Sequence, residues 1–131
     1  MNTSHSPDTL ARPNGFAHVV TSTHATTVFV SGQVAYDDEG RIVGHTDLTA
    51  QTHQVYSNIE KALAAVGASL QDVTKTVLFV RDLDPDKARI IREARAPFLS
   101  AGRLPASTMV GVASLAHPDL LLEVEAVAML A

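Results

Sequence analysis

Residues 47–67, DLTAQTHQVYSNIEKALAAVG, and residues 73–80, VTKTVLFV, decide the fold. In the first stretch Leu48, Thr52, Val55, Ile59, Ala62, Leu63 and Val66 recur at helical spacing, and Gly67 is placed to end the helix. The second stretch has the composition of a buried strand. Downstream, Asp84-Pro85 supplies an N-cap followed by proline at the first helical position, so a second helix runs to about Phe98, with Pro97 limiting its last turn. Thr108 to Ala113 and Leu120 to Ala128 read as two further strands joined through His117-Pro118-Asp119. Upstream, Ala17 to Thr21 and Val28 to Ser31 are short β-branched runs on either side of the polar stretch Ser22–Thr27, which predicts an antiparallel strand pair. Asp37-Asp38-Glu39-Gly40 is a turn, with Gly40 suited to a positive φ. The order is ββαβαββ, an α+β pattern.

Two helices can cover only one face of a sheet, yet the strands are apolar on both sides. Val73, Val77 and Phe79 alternate with Leu78 and Val80, while Leu122, Val124 and Ala126 alternate with Leu121, Val127 and Met129. A second apolar face without cover in its own chain predicts burial against other subunits.

At 131 residues the chain fits one domain, and with 46% hydrophobic and 18% charged residues it has enough apolar surface to fold without staples. The net charge of −4 offers no attraction for a phosphate backbone, so nucleic acid is not an expected partner. The absence of cysteine removes disulfides, thiolate nucleophiles and Cys-type metal sites. The histidines have neither H-x-H nor H-E-x-x-H spacing, and no glycine motif for a nucleotide is present; no metal or cofactor is implied. Residues 1–14 read as a flexible polar N-terminal segment and 15–131 as a single domain. The opening MNTSHSPDTLARPNG lacks the apolar run of a signal peptide, and Leu120–Ala131 is too short and too acidic to span a bilayer, so a cytoplasmic protein without a membrane partner is expected.

Ser31-Gly32-Gln33 followed by Asp37 and Gly40, Gln51-x-x-Gln54-x-x-x-Asn58, Ala65-x-Gly67-Ala68-Ser69, Asp72-Val73-x-Lys75-Thr76, Pro105-Ala106 and Glu123-x-Glu125-Ala126-x-Ala128 form an ordered series of motifs. Over roughly residues 15 to 130 the series resembles the RidA/YjgF/YER057c/UK114 family of imine and enamine deaminases. The resemblance implies a chorismate-mutase-like protomer, two helices on one face of a mixed sheet, and a homotrimer with clefts between adjacent subunits. The deaminating branch of that family carries an arginine after the Pro-Ala step, where it grips a substrate carboxylate. This chain has Ser107 there, which supplies neither charge nor fork and places it in a branch without the clamp. Met109 stands where cysteine is frequent, Gly111 replaces a frequent glutamate, and His18 aligns with a tyrosine ahead of the first strand.

Glu123 is the acid/base candidate: it matches the family carboxylate that positions water, and its apolar strand would raise its pKa by burial. The competing reading is that Glu123 and Glu125 simply solvate one strand face. Ser31 and Gly32 close a strand where a ligand can approach the backbone and meet an N–H donor, or they form an ordinary bulge. His18 is a second acid/base or hydrogen-bonding candidate; a half-buried histidine bonded to backbone is the alternative. Ser107 and Met109 are expected to line the cleft, and Arg103 is the candidate for a relocated anion contact. Arg89, Arg92 and Arg95 read as the solvated face of the second helix. The expected activity is cofactor-free hydrolysis of a reactive imine, enamine or related small molecule at an intersubunit cleft, with a non-catalytic binder of a small metabolite or partner as the alternative. Ribonuclease activity is disfavoured by the acidic charge and by the lack of tryptophan and the presence of only two tyrosines for base stacking.

Overall fold

Helix α1 spans Leu48–Ala64 in the computed structural model, which describes residues 1–131. The Asp47 carboxylate accepts the Ala50 N–H at 3.0 Å, satisfying one free donor of the first turn. At the other end Gly67 takes φ +76°, a left-handed conformation open to glycine at no steric cost, and the Ala68 N–H returns to the Leu63 carbonyl. Gln51, Thr52, Val55, Tyr56, Ile59 and Leu63 form the buried face, close to the expected stripe; Val66 lies past the helix end and is exposed. Helix α2 spans Pro85–Arg95, capped by Asp84, whose carboxylate accepts the Lys87 N–H at 2.8 Å. It gives way to a 3-10 turn at Ala96–Phe98, because Pro97 has no N–H with which to continue the ladder.

The strands are β1 (Asn2–His5), β2 (Val19–Ser22), β3 (Thr26–Gln33), β4 (Val73–Arg81), β5 (Ala106–Val112) and β6 (Leu122–Leu130). The main sheet has the order β3-β6-β4-β5. Strand β6 runs antiparallel to both neighbours, and β4 and β5 are parallel because α2 carries the chain back between them. The result is the expected α+β arrangement of two helices on one face of a mixed sheet. Between them lies the core, where Val55, Tyr56, Ile59, Leu63 and Ile91 meet Val30, Leu78, Val80, Leu122, Val124 and Ala126. The turn after β3 is held by Asp37, whose carboxylate accepts the Arg41 and Glu39 N–H groups; the bond from Arg41 is the main cause holding its pKa below the usual value, and Gly40 takes φ +77°.

Three expectations are corrected. First, β2 and β3 are not a hairpin: β2 pairs with β1 in a separate two-stranded sheet, and β3 pairs with β6. Second, the segment expected as a flexible lead-in contains β1, giving βββαβαββ. Asn2 ties it down through its side-chain amide, which donates to the Met129 carbonyl at 2.9 Å and the Asp72 carbonyl at 3.3 Å. Its pairing rests on backbone and amide hydrogen bonds, which leave no apolar pattern to read. Third, a register shift between Val73 and Lys75 turns Val73 into the core instead of aligning it with Val77 and Phe79.

The face away from the helices carries Phe29, Val77, Phe79, Val110, Val127 and Met129 together with Lys75, Arg81, Glu123 and Glu125. Phe29 is 79% exposed there. No helix of the chain is long and apolar enough to cross a membrane.

Candidate functional site

Glu123 lies on β6 opposite Phe79 of β4, with its side chain on the uncovered face and half-buried. The strand beside it, β3, carries one extra residue: Val30 faces Ala126 and Gln33 faces Val124, so Ser31 and Gly32 together oppose Glu125. This bulge lays the Glu123 carboxylate across Gly32. A Cβ at position 32 would stand 2.0 Å from Glu123 Oε2, 2.7 Å from Cδ and 2.8 Å from Cγ. Glycine is therefore what gives the carboxylate its place. The Ser31 carbonyl accepts the Gln33 side-chain amide at 3.1 Å, while its hydroxyl side is exposed. Beside the bulge a hollow of about 380 Å³ is lined by Phe29, Ser31, Lys75, Val77, Glu125 and Val127. Glu123, Gly32 and Ser31 are thus one group, brought together by the β3–β6 pairing.

Ser107 and Met109 do not join it. Ser107 pairs with Thr76 and Met109 with Leu78, both buried on the helix side of β4, so all four share that face. The Thr76 hydroxyl donates to Ser107 Oγ at 3.0 Å, and Met109 packs against the core. The β5 residues on the uncovered face are Ala106, Thr108, Val110 and Val112, and Lys75 Nζ donates to Thr108 Oγ1 at 2.8 Å. Sequence reasoning did not bring Lys75 and Thr108 to the site; strict alternation from Val77 and Phe79 reaches Lys75, while Thr108 depends on the β4–β5 register.

His18 stands at the opposite edge of the sheet. Ala17 pairs with Ala106 in parallel and donates its N–H to the Pro105 carbonyl at 2.8 Å, which brings His18 alongside Ser107. The imidazole Nε2 lies 2.7 Å from the Ala11 carbonyl, and the ring meets Phe16 edge-on at 5.4 Å. A carbonyl only accepts, so Nε2 carries hydrogen, and in the neutral ring Nδ1 is the basic nitrogen. From the Glu123 level to the His18 level is three strand spacings and about three residues along the strand, roughly 17 Å. One chain therefore holds two separate groups of candidates at opposite edges. Arg103 belongs to neither: it is exposed in the 3-10 turn Ala101–Arg103 ahead of β5.

Arg95 is the remaining correction. Arg89 is exposed and pairs with Asp86 and Glu93, as a solvated face requires, but Arg95 is only 4% exposed. Its guanidinium lies beside the Tyr56 hydroxyl, whose pKa is pushed up, chiefly by burial. A surface groove of about 730 Å³ lies between the starts of the two helices and is lined in part by His45, Asp47, Arg81 and Lys87. Its cations are engaged already: Arg81 donates to the Pro118 carbonyl and Lys87 to the Asp82 carbonyl.

Fold and geometry together define an α+β protomer with a carboxylate seated on a glycine bulge of an uncovered sheet face. The sequence model of the family described as Endoribonuclease L-PSP matches residues 6–130. A crystal structure of a protein of the conserved Rid family from Yersinia pestis, YyfB, described as of unknown function, is 34% identical, superimposes with a TM-score of 0.94 and is covered to 98%, as is this chain. The 3-aminoacrylate deaminase RutC of Acinetobacter baylyi is 37% identical over 101 residues, 77% of each chain. A RutC family protein of Pyrococcus abyssi is 36% identical over 101 residues, 77% of this chain and 76% of its own. The chain belongs to this family, that of the RidA/YjgF and RutC proteins.

Proposed function

We propose that the protein is a cofactor-free hydrolase of a reactive imine or enamine, acting as a homotrimer at clefts between subunits. The observation that carries this reading is the Glu123 carboxylate laid over Gly32 on a face that the chain leaves uncovered. The deaminase name of the relative from Acinetobacter baylyi supports the same chemistry. Apposition of two copies places the Glu123 group of one protomer against the His18 group of the next, closing the roughly 17 Å that separates them within one chain.

Water adds through its oxygen to the carbon of the C=N bond. Glu123 takes one of its protons and delivers it to the nitrogen, giving a carbinolamine. Glu123 then takes the hydroxyl proton of that intermediate and passes it to the nitrogen as the C–N bond breaks, so the carbonyl compound forms and ammonia leaves. An enamine first takes a proton on carbon to reach the same imine. The Gly32 backbone sets how closely the reacting carbon approaches the carboxylate.

A second reading, a non-catalytic binder, is favoured by two observations: the Ser107 hydroxyl is tied to Thr76, and His18 Nε2 to the Ala11 carbonyl. Ammonia release from an imine generated in situ by an oxidase separates the two. Glu123→Gln preserves shape and removes the ionisable group, so it should abolish turnover while the assembly stays folded. Turnover equal to that of the parent removes Glu123 from the reaction, and no turnover in the parent favours the binder.

A further inference from the structure

Arg95 closes α2 with a charge that the chain leaves unmatched. Its Nε is sealed from solvent and has no hydrogen-bond partner, and Nη2 reaches only the Gly15 carbonyl, at 3.5 Å, the long limit of a hydrogen bond. The neighbouring Tyr56 hydroxyl hydrogen-bonds with the guanidinium but is neutral, so it supplies no counter-charge. The arginine ion pairs of the chain lie elsewhere, Arg41 with Asp37 and Glu39, and Arg89 with Asp86 and Glu93. A guanidinium cannot discharge itself, and a buried one without a carboxylate is strongly penalised. The C-terminal end of α2 offsets only part of that penalty.

The surroundings place this charge beside the second group of candidates. Gly15, at φ +76°, lets the guanidinium lie against bare backbone; a Cβ there would stand 3.3 Å from Nη2. From Gly15 the chain runs through Phe16 and Ala17, paired with Ala106, to His18, at most about 10 Å away along the backbone. The stretch at Gly15 is a bend outside any strand or helix, held to the guanidinium by that one long bond. The Nε–H and Nη2–H hydrogens form one edge of a planar fork, the geometry that receives both oxygens of a carboxylate.

We propose that Arg95 is the anion anchor of this protein, its Nε–Nη2 edge taking the carboxylate of a small ligand at the β5 edge beside His18 and Ser107 in place of the Gly15 carbonyl. Resting on the imine-hydrolase reading, this makes Arg95 the specificity-determining residue and carboxylate-bearing imines the substrate class.

Pyruvate and acetone, of similar size but differing in the carboxylate, serve as probes in calorimetric titration of the full-length protein. The parent should bind pyruvate more tightly than acetone, Arg95→Gln should weaken pyruvate binding at least tenfold, and Arg95→Lys should lose less, keeping charge without the fork. In turnover, the ratio of kcat/KM for 2-iminopropionate to that for a neutral imine made by an amine oxidase should fall at least tenfold in Arg95→Gln, chiefly through KM. Equal losses on both imines, equal pyruvate affinity in parent and variant, or no pyruvate binding by the parent would overturn the proposal. If the parent turns over neither imine, the hydrolase reading fails and the pyruvate titration alone decides the role of Arg95. If Arg95→Gln does not fold, Arg95→Lys decides by the same ratio.

Discussion

Gly32→Ala is the sharpest perturbation of the Glu123 group, because it adds one methyl where the carboxylate now lies. The new carbon would stand 2.0 Å from Oε2, and ordinary contact begins near 3.4 Å, so the carboxylate has to retreat by about 1.4 Å. A displacement of about 1 Å at a reacting group lowers the rate by roughly a hundred-fold, equivalent to about 2.7 kcal/mol of transition-state stabilisation. Stability should change far less. Gly32 is outside the left-handed region, so alanine fits its backbone, and the reduced freedom of the unfolded chain contributes about 0.4–1 kcal/mol. Against this stands about 0.5–1.5 kcal/mol for an off-rotamer Glu123 side chain. Ammonia release under oxidase-coupled conditions measures the rate, and urea unfolding measures the stability. Gly102→Ala is the control, since nothing lies within 4 Å of its added carbon. Turnover by Gly32→Ala within threefold of the parent would refute the claim that the seat of Glu123 governs the chemistry.

Two further outcomes are expected. The parent should sediment at about three times 13.9 kDa, and Phe29→Glu, which places a charge at the most exposed large side chain of the uncovered face, should sediment near 13.9 kDa with an unchanged circular dichroism spectrum; a parent that is already monomeric contradicts both the assembly and the intersubunit cleft. Burial raises the Tyr56 pKa above 10.0, so the folded chain keeps a proton that the unfolded chain releases. The associated stability is complete below pH 10 and is lost as pH rises toward the folded-state value, at about 1.4 kcal/mol per pH unit. Urea unfolding should show no contribution of this group to the slope between pH 9 and about 10 and a fall above about pH 10, which Tyr56→Phe should remove; equal slopes above about pH 10 would argue against a buried neutral hydroxyl.

Periodicity records which side of an element is buried, and that is why both helices and the four strands of the main sheet were legible. Pairing partners were not. Nothing in Val19–Ser22 distinguishes β1 from β3 as a neighbour, because backbone hydrogen bonds carry the choice and Asn2–His5 has no apolar alternation. Glu123 and Gly32 were legible as separate motifs, and a bulge was one of two readings of Ser31-Gly32, but that the bulge stacks the two depends on the β3–β6 register, which strand patterns do not encode. Ser107 and Met109 were read from the motif alone; within one chain β5 turns both to the helix side, away from Glu123, with Ser107 beside His18. Arg95 was misread because residues six apart do not share one helix face: each three-residue step rotates the position by about 60°, about 120° from Arg89 to Arg95, enough to pass from solvent to core.

The order of the strands in the sheet also bears on how the chain reaches it. Strand β6 follows every other strand in synthesis, yet it sits between β3 and β4, with Leu130 beside Thr26. Until it arrives, β3 has no partner and β4 has only β5, so the apolar inner faces of both pieces stay open to water and to other chains. Closing the sheet joins the most distant parts of the sequence, the kind of contact that makes folding slow and leaves intermediates prone to aggregate. A premature stop or proteolytic nick ahead of Leu122 therefore leaves two disconnected sheet fragments rather than a smaller domain, and a chain so cut is a substrate for degradation.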